Sequence, residues 1–371
     1  MERYLGEKTP KLGFGLMRLP RDKDDSSKAD IEQIKAMVDK FIGAGFTYFD
    51  TAFAYGDSEV ITREALVERY PRESYTLASK MNVWKGPLPE DAKAQFKKSL
   101  ENTGAGYFDY YLLHSLQEGN YEKYGEFGLW DYVKELKAEG LVKNWGFSFH
   151  SGPELLDKLL TEHPDVDFIQ LQVNYTDMDD PDVMSGANIE VAKKHNVPFV
   201  IMEPVKGGML ANPHESVRKI FEEYDPNASC ASWAIRFAAS IDGVITVLSG
   251  MSTLEQVEDN VSFMKDFKPL SEAEQEVIKK AQKAMSAIET IKCTNCRYCV
   301  DGCPMEIKIP DVFKLMNRYL MYNDLERAKN QYKRDELNAS ACIECGQCES
   351  VCPQSLNIIQ YLKRSAEVLE E

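Results

Sequence analysis

Nine cysteines are the most informative residues of this 371-residue chain, because eight of them lie after residue 290. Only Cys230 lies elsewhere, in a helical stretch (NASCASWAIRFAAS) where a small buried apolar side chain is the simpler interpretation. Disulfides of a secreted protein are usually distributed through the fold that they stabilise. The clustering therefore favours thiolates that bind a metal over disulfide bonds.

The eight clustered cysteines form two copies of one run, each followed by a proline. The copies are Cys293-x2-Cys296-x2-Cys299-x3-Cys303-Pro304 and Cys342-x2-Cys345-x2-Cys348-x3-Cys352-Pro353. This spacing is typical of 4Fe-4S clusters, in which three thiolates of a run bind one cube and the fourth binds the other cube. Structural zinc usually takes four ligands in two close pairs, so zinc is the weaker alternative.

The cysteine repeat resembles bacterial-type two-cluster ferredoxin modules. The 38 residues between the copies have a helical pattern, as in the α-helical ferredoxin variety. The resemblance implies crossed ligation by two sets of cysteines, namely Cys293, Cys296, Cys299 and Cys352 for one cluster and Cys342, Cys345, Cys348 and Cys303 for the other. Two adjacent clusters imply an electron relay, although a purely structural role stays open.

Residues 1–264 must position any further chemistry, and they repeat one pattern about eight times. A short β-branched or aromatic run precedes each amphipathic helical stretch; the runs are LGFGLM, FTYFDTA, YTLASKM, YFDYYLLH, VKNWGFSFH, DFIQLQVNY, PFVIMEPV and GVITVLSG. Strands that alternate with helices pair in parallel, and eight units in about 250 residues match a closed (β/α)8 barrel. An open doubly wound sheet is the alternative, but Gly13 and Gly15 lack the third glycine of its fingerprint.

The domain prediction follows from these two patterns. Residues 265–290 are charged and helix-forming, with Ser271 and Glu274 at the spacing of a capping box, and they predict a connecting helix. Residues 291–371 then form a small, mostly helical iron–sulfur domain. The predicted fold class is α/β, a (β/α)8 TIM barrel followed by that small domain.

Four polar residues stand at the carboxyl ends of the early predicted strands, where the active sites of such barrels lie. They are Asp50, Tyr55, Lys80 and His114. In these residues and their order the sequence resembles the aldo/keto reductases, and the segments GFSF, QVNY and SGMSTLEQVEDN extend the resemblance over essentially all of residues 1–264. The resemblance implies an oxidoreductase that acts on a small carbonyl or alcohol substrate.

The resemblance also implies a role for each of the four side chains. A carbonyl that accepts hydride becomes an alkoxide, and Tyr55 protonates it as it forms. The Lys80 ammonium moves the pKa of Tyr55 toward the working pH, and Asp50 keeps Lys80 charged and in position. His114 orients the carbonyl oxygen by hydrogen bonding, so Tyr55 and His114 bind the developing oxyanion.

The predicted cofactor residues match the family less closely. Ser148 and Gln172 correspond to contacts with the nicotinamide carboxamide, while Met202 stands where an aromatic residue commonly stacks on the ring, and Phe149 replaces a frequent asparagine. The residues of the adenosine-phosphate segment are Ser249, Gly250, Ser252, Gln256, Asp259 and Asn260. Gly250 and Gln256 replace a Lys and an Arg that many members place on the 2′-phosphate, which weakens NADPH without excluding it. Lys206 and Gly207 fit a phosphate-facing loop, or equally a simple turn.

The two predicted halves differ in how they transfer electrons. Nicotinamide donates two electrons together as hydride, whereas each cluster passes one at a time. Proteins that couple the two normally use a group that is stable in three redox states, of which flavin is the usual one. FMN in the barrel, instead of or in addition to NAD(P)H, is therefore a second cofactor hypothesis, and the loops after the seventh and eighth strands are a common phosphate site.

The leading functional hypothesis is an iron–sulfur oxidoreductase of the aldo/keto reductase type whose two clusters relay electrons. The alternatives are a conventional NAD(P)H-dependent reductase with structural or redox-sensing clusters, and a non-enzymatic redox sensor or electron-carrier subunit. A small ferredoxin or flavodoxin is the predicted electron partner. Residues 304–341 hold seven Lys or Arg against six Asp or Glu in a chain of net charge −16, so they repel an acidic carrier least.

Composition argues against several other classes of protein. The chain is 43% hydrophobic, which allows a large core, and its charge of −16 argues against nucleic-acid binding. No run approaches 18 apolar residues, so membrane insertion is not expected. The first residues, MERYLGEKTP, lack the apolar region of a secretory signal, and a cytoplasmic location is expected.

Overall fold

The computed structural model describes Leu5 and residues 9–370. Residues 1–4, 6–8 and 371 lie outside the described residues, and most of the segment used for the secretory-signal prediction lies among them. The chain forms two compact units, one with residues up to Gly207 and Ala231–Gln275, the other with Gly208–Cys230 and the residues from Glu276 onward. The predicted domain borders at 264 and 290 stay predictions.

The first unit is a closed barrel of eight parallel strands, each hydrogen-bonded to the next in sequence order. The strands are β1 (Leu12–Gly15), β2 (Tyr48–Asp50), β3 (Thr76–Met81), β4 (Phe108–Leu116), β5 (Val142–Phe149), β6 (Phe168–Gln172), β7 (Phe199–Met202) and β8 (Val244–Ser249). The pairing of β1 with β8, in the register Leu12 with Val247, closes the ring. The predicted (β/α)8 barrel is therefore confirmed, and the open sheet is excluded.

Helices follow the strands and cover the outside of the barrel. In the first half of the chain they are α1 (Ile31–Gly43), α2 (Ser58–Thr62), α3 (Pro89–Thr103), α4 (Tyr121–Glu126), α5 (Leu129–Ala138), α6 (Pro153–Glu162) and α7 (Ser185–Lys194). The chain continues with α8 (Glu215–Tyr224), which belongs to the second unit, and with α9 (Cys230–Ala239) and α10 (Leu254–Met264), which apart from Cys230 belong to the first unit. The next helix, α11 (Glu272–Ser286), begins in the first unit and continues in the second. A π-helical turn, Arg63–Val67, continues α2. The sequence pattern missed α4 and α8, whereas this turn lies within a stretch, 59–70, that the pattern predicts as helical.

The interior of the barrel is filled by large aromatic side chains. The Tyr48 and Tyr110 rings lie 5.1 Å apart, and Tyr110 contacts Phe168 edge to face at 4.9 Å. Gly146 makes room for this layer, because a Cβ atom there would lie 2.1 Å from the carbonyl oxygen of Phe168. Side chains along a strand alternate between two faces, so residues two positions after this layer also point inward, at the carboxyl end of the barrel.

The second unit contains the cysteine repeat, and the repeat extends to the backbone. Each run contains a short helix and is followed by a long one. In the first copy these are α12 (Tyr298–Asp301) and α13 (Ile309–Tyr322). After α14 (Leu325–Arg334), they are α15 (Gln347–Ser350) and α16 (Ile358–Leu369) in the second copy. Corresponding residues lie 49 positions apart, as Cys293 and Cys342 do. Arg297 and Gly346 both have positive φ, 66° and 75°, at equivalent positions. No helix among the described residues is long and apolar enough to cross a membrane.

Candidate active site and cysteine cavities

The four predicted catalytic residues come together at the carboxyl end of the barrel. Asp50 is the last residue of β2, and Lys80 and His114 lie near the carboxyl ends of β3 and β4. Each of the three lies two residues after a member of the buried cluster inside the barrel. Tyr55 lies in the turn after β2, where its backbone N–H donates to the Ala52 carbonyl at 3.0 Å. Alternation along three adjacent strands therefore places three of the four side chains over the same opening.

Lys80 is the centre of this group and is only 1% exposed. Its ammonium donates to Asp50 Oδ1 at 2.5 Å and to the Thr51 carbonyl at 2.8 Å. Its Nζ atom lies 4.9 Å from the centre of the Tyr55 ring. Burial disfavours the charged form of Lys80, but attraction to Asp50 and Tyr55 outweighs burial and raises the pKa above its ordinary value. Lys80 is therefore a buried cation next to the tyrosine.

The pKa of Tyr55 is raised, and burial is the main cause. The charge of Lys80 lowers this pKa, as expected from the sequence, while the carboxylates of Asp50 and Glu203 raise it. Burial outweighs the Lys80 contribution, so the expected net movement toward working pH is not found in this site. Tyr55 is the neutral phenol at neutral pH, which is the form that can donate a proton.

His114 lies beside Tyr55, with ring centres 5.5 Å apart. Burial, together with the positive charge of Lys80 and the nearby His150, lowers the pKa of His114 well below its ordinary value. Its Nδ1 atom is buried and has no hydrogen-bond partner among the described residues. Trp84, 48% exposed, lies 5.3 Å from the His114 ring at the opening. A neutral imidazole in this place can donate to a substrate oxygen but carries no charge.

The residues predicted to contact nicotinamide already have partners within the protein. The Ser148 hydroxyl accepts from the backbone N–H of Ser115 at 2.7 Å. The Gln172 side-chain amide donates to Asp177 Oδ2 at 2.9 Å. Lys206, predicted to face a phosphate, forms an ion pair with the same Asp177. The buried carboxylate thus links two of the predicted cofactor residues.

The predicted adenosine-phosphate residues lie together at the end of β8 and the start of α10. The Asn260 side chain donates to the Ser249 hydroxyl at 2.8 Å, and the Ser252 backbone N–H donates to Gln256 Oε1 at 2.7 Å. The other members of this segment are Gly250 and Asp259. The local hydrogen bonds order the segment before any ligand binds.

Arg18 connects the loops after β1, β7 and β8. Its carbonyl accepts from the Ser252 hydroxyl at 2.7 Å. Its guanidinium donates to the Gly207 carbonyl at 2.9 Å and to Glu203 Oε1 at 3.3 Å. The loops after β1, β7 and β8 therefore place charged groups at the opening. The four catalytic candidates come from β2, β3 and β4 and the turn after β2.

The eight clustered cysteines line two separate cavities in the second unit. The first is lined by Cys293, Cys296, Cys299 and Cys352. The second is lined by Cys303, Cys342, Cys345 and Cys348. Each cavity thus has three cysteines of one copy and the fourth of the other. Ile309, 1% exposed, lines both cavities and forms a shared wall.

The cavities fit an iron–sulfur cube better than a single ion. No group of three or more His, Cys, Asp or Glu side chains in the described part of the chain is arranged to hold one metal ion, and the thiols instead surround a space. A cube takes four soft thiolate ligands at its corners. Burial raises the pKa of Cys299 and Cys348 to about 11, so ligation must displace their protons.

Comparison with known proteins identifies both units. Residues 11–283 match the sequence model of the aldo/keto reductase family, which is well over half of the chain. The chain belongs to the aldo/keto reductase family. Residues 292–357 match the model of the 4Fe-4S dicluster domain. This aldo/keto reductase is therefore an oxidoreductase with an appended iron–sulfur domain, as predicted.

Individual relatives of this aldo/keto reductase are distant. The aldo-keto reductase str7 of Strobilurus tenacellus is 27% identical over 227 residues, which are 58% of this chain and 63% of str7, so less than two thirds of that relative is spanned. Two solved structures share the fold. AKR11C1 from Bacillus halodurans (holo form) has a TM-score of 0.59 at 24% identity, over 76% of this chain and 95% of that one. An aldo/keto reductase from Klebsiella pneumoniae, in complex with NADP and acetate, has a TM-score of 0.57 at 20% identity, over 73% and 91%.

Four residues at the opening of this aldo/keto reductase were missed from the sequence. They are Arg18, Trp84, Asp177 and Glu203. The sequence does contain an indication for Glu203. It is a charged residue directly after β7, at the carboxyl end of the barrel, where the active-site residues of such barrels lie. The others lie in loops, and their approach to the site depends on loop conformations that periodicity does not predict.

Proposed function

We propose that this protein is an iron–sulfur aldo/keto reductase that interconverts a small carbonyl compound and its alcohol, with NAD(P)H bound in the barrel. The observation that carries the proposal is the buried Lys80 ammonium, bonded to Asp50 and 4.9 Å from the Tyr55 ring. A buried cation next to a phenol stabilises the tyrosinate that is left after proton transfer. The cytoplasm is the proposed location, because none of the nine cysteines forms a disulfide within the described residues.

Ser148 and Gln172 would hold the carboxamide of a bound nicotinamide, which would supply the hydride that a carbonyl carbon accepts. His114 donates a hydrogen bond to the carbonyl oxygen and orients it, and the neutral imidazole adds no charge that would have to be neutralised. Tyr55 donates its proton to the oxygen, so the product is the alcohol and a tyrosinate. Lys80 stabilises that tyrosinate, Asp50 holds Lys80 in position, and the phenol is restored by a proton from solvent.

Nicotinamide in the barrel is supported by the placement of the predicted contacts. Ser148 and Gln172 lie at the ends of β5 and β6, at the same edge as the four catalytic candidates. The structure from Klebsiella pneumoniae holds NADP on the same fold. These residues would hold the carboxamide, and the segment from Ser249 to Asn260 would hold the adenosine phosphate.

The two cysteine cavities support the proposed electron relay. Ile309 lines both cavities, so clusters bound in them would be neighbours. Single electrons from such clusters require a barrel cofactor that accepts them one at a time. FMN is therefore the second cofactor candidate, and it is favoured by Met202, which replaces the aromatic residue expected to stack on nicotinamide. A small ferredoxin or flavodoxin is the proposed external partner.

The first experiment is to purify the protein without oxygen, denature it and identify what it releases. About eight irons per chain are expected from two clusters. Release of NAD(P)H, or tight binding of added NAD(P)H, would support the proposed cofactor. Release of FMN would instead indicate that the barrel couples hydride transfer to single-electron transfer. Far fewer than eight irons would contradict the two-cluster proposal.

The second experiment is the variant Tyr55→Phe. Turnover should fall by roughly 10²- to 10⁴-fold, the usual contribution of a general acid, while the iron content stays unchanged. Tyr121→Phe is the matched control, because the Tyr121 hydroxyl bonds only to the exposed Glu122 and Lys158 side chains in the described structure. A Tyr55→Phe protein with full turnover would contradict the proposed mechanism, and loss of turnover would argue against a non-enzymatic sensor.

A further inference from the structure

Asp177 is a fully buried carboxylate at the opening of the barrel, and the proposed reaction does not use it. It lies five residues after β6 ends and is 0% exposed. Its Oδ2 atom accepts from the side-chain amides of Gln172 at 2.9 Å and Asn174 at 2.7 Å. Its Oδ1 atom pairs with the Lys206 ammonium and accepts from the Thr176 hydroxyl at 3.3 Å. Such a densely bonded buried charge requires an explanation.

The chemistry of a carboxylate fixes which way the Gln172 amide points. A carboxylate can only accept hydrogen bonds, so the NH2 group of Gln172 must face Asp177. The amide oxygen Oε1 then faces away from Asp177. No hydrogen bond within the described residues uses this oxygen, and Gln172 is only half-buried. Gln172 therefore offers its surroundings an acceptor and not a donor.

Asn174 shows that the same carboxylate can also serve a purely structural purpose. The Asn174 oxygen accepts from the backbone N–H groups of Thr176 and Asp177, at 3.0 and 3.1 Å. Its NH2 group donates to the Glu203 carbonyl at 3.2 Å as well as to Asp177. All polar atoms of Asn174 are thus used within the protein. Gln172 differs because one of its polar atoms is left for a ligand.

The loop after β7 is held by the same network. Glu203 and Lys206 have φ values of 56° and 48°, a region that side chains other than glycine rarely adopt. Asn174 bonds to the Glu203 carbonyl, and Asp177 pairs with the Lys206 side chain. Asp177 therefore connects two loops of the opening, through its hydrogen bonds after β6 and its ion pair with Lys206 after β7.

We propose that Asp177 is a positioning residue of the cofactor pocket. It holds the NH2 group of Gln172 so that Gln172 Oε1 is presented as an acceptor, and the pocket then selects a ligand with a matching donor. In the nicotinamide carboxamide that donor is the NH2 group. The inference rests on the proposed function, because it requires nicotinamide in the barrel.

The test compares two nucleotides that differ only at this group. The 3-acetylpyridine analogue carries a methyl group where the carboxamide of NADPH or NADH carries NH2. The wild-type protein should bind the natural nucleotide roughly two- to tenfold more tightly than its analogue, the worth of one neutral hydrogen bond. In Asp177→Asn the new side-chain NH2 group can donate to Gln172 Oε1, so the Gln172 amide turns around. The natural nucleotide and its analogue should then bind about equally tightly.

A double-variant comparison separates positioning from a general loss of structure. Gln172→Leu should abolish the same preference, and Asp177→Asn combined with Gln172→Leu should lose no more than either alone. Asp179→Asn is the matched control, since Asp179 is an exposed carboxylate two residues away. If Asp177→Asn leaves too little folded protein, Asp177→Asn with Lys206→Met removes both buried charges and is expected to show the same lost preference.

The outcomes distinguish this inference from the proposed function. A wild-type protein that binds neither NADPH nor NADH would contradict nicotinamide in the barrel and this inference with it. If the protein binds nucleotide and Asp177→Asn keeps the preference for the natural nucleotide, the proposed role of Asp177 is wrong. The proposed function is not affected by that result. Equal weakening of both nucleotides by Asp177→Asn, with the preference kept, would show a merely structural carboxylate and would also overturn it.

Discussion

The Nζ atom of Lys80 lies 4.9 Å from the centre of the Tyr55 ring, and both groups are buried. Burial raises the pKa of Tyr55, and the Lys80 charge is the largest influence that lowers it. The two effects oppose each other in one small space. The pKa of Tyr55 therefore depends on the Lys80 charge, and it rises if that charge is lost.

Removing that charge should change the pH dependence of the reaction. In Lys80→Met the largest influence that lowers the Tyr55 pKa is gone, so the pH of half-maximal alcohol oxidation should move upward. Each unit of movement corresponds to about 1.4 kcal/mol. The pH profile of any alcohol that the wild type oxidises measures the effect. Lys85→Met, at an exposed position after β3, should leave the profile in place. A movement to lower pH would contradict the coupling.

His114 should make the barrel less stable in acid. Its pKa in the folded protein is well below the ordinary value, mainly through burial, while the unfolded chain titrates near 6.5. Below about pH 6.5 the unfolded state binds a proton that the folded state excludes, so stability falls as the pH falls.

The slope is at most about 1.4 kcal/mol per pH unit for one such group. Urea unfolding of His114→Asn at pH 7.5 and 5.5 should show a smaller difference than the wild type. Tyr55→Phe, a neighbour without a group that titrates in this range, should keep the wild-type difference. An unchanged difference in His114→Asn would assign the acid sensitivity to other groups.

Crossed ligation of the clusters can be tested by iron content alone. If Cys352 serves the cavity of Cys293, the double variant Cys293→Ala with Cys352→Ala loses one cluster and keeps about four irons. Cys342→Ala with Cys352→Ala should then lose both clusters and keep almost none. Uncrossed ligation predicts the reverse order. Cys230→Ser should keep all of the iron, because Cys230 lies away from both cavities.

One carboxylate next to the second cavity, Glu349, has no counterpart in the first copy. Glu349, next to Cys348, accepts from the backbone N–H of Ile359 at 2.9 Å, and Ile359 lines the second cavity. The equivalent residues of the first copy are Val300 and Pro310, and proline has no N–H to donate. A negative charge near a cluster favours its oxidised form, so Glu349 should lower the reduction potential of a cluster in the second cavity.

Glu349→Gln keeps an acceptor for Ile359 but removes the charge. An EPR-monitored redox titration should show one of the two potentials rising, with the other unmoved. A tenfold change in the one-electron equilibrium between the clusters would appear as 59 mV. Glu344→Gln is the control, because Glu344 is already paired with Lys363 at 2.8 Å. If neither potential rose in Glu349→Gln, the proposed effect of the Glu349 charge would be wrong.

Much of the architecture follows from the sequence for a simple reason. Each strand is a short apolar run that is buried on both faces, and the alternation along it brings Asp50, Lys80 and His114 to one opening. The cysteine spacing repeats at 49 positions, and the backbone repeats with it. In both cases the pattern that is visible in the sequence is also what determines the packing.

The missed features depend on loops rather than on periodicity. Glu203 and Lys206 adopt positive φ values without being glycine, so no turn motif marks the loop after β7. Asp177 is buried by bonds to residues from two different loops, which a single stretch of sequence does not reveal. The net pKa of Tyr55 also depends on how deeply it is buried, and the sequence shows only the residues around it.

The division of each cavity between the two cysteine runs has a consequence for how the sites are completed. A chain with a single run would have three ligands for its own cluster and a fourth that reaches into another molecule, so it would complete a site only as a symmetric pair. Two runs in one chain would complete both sites without a symmetric partner. The two copies differ, for example, in Arg297 at the position of Gly346 and in Val300 at the position of Glu349. Under the proposed crossed ligation, loss of either run would remove ligands from both proposed clusters.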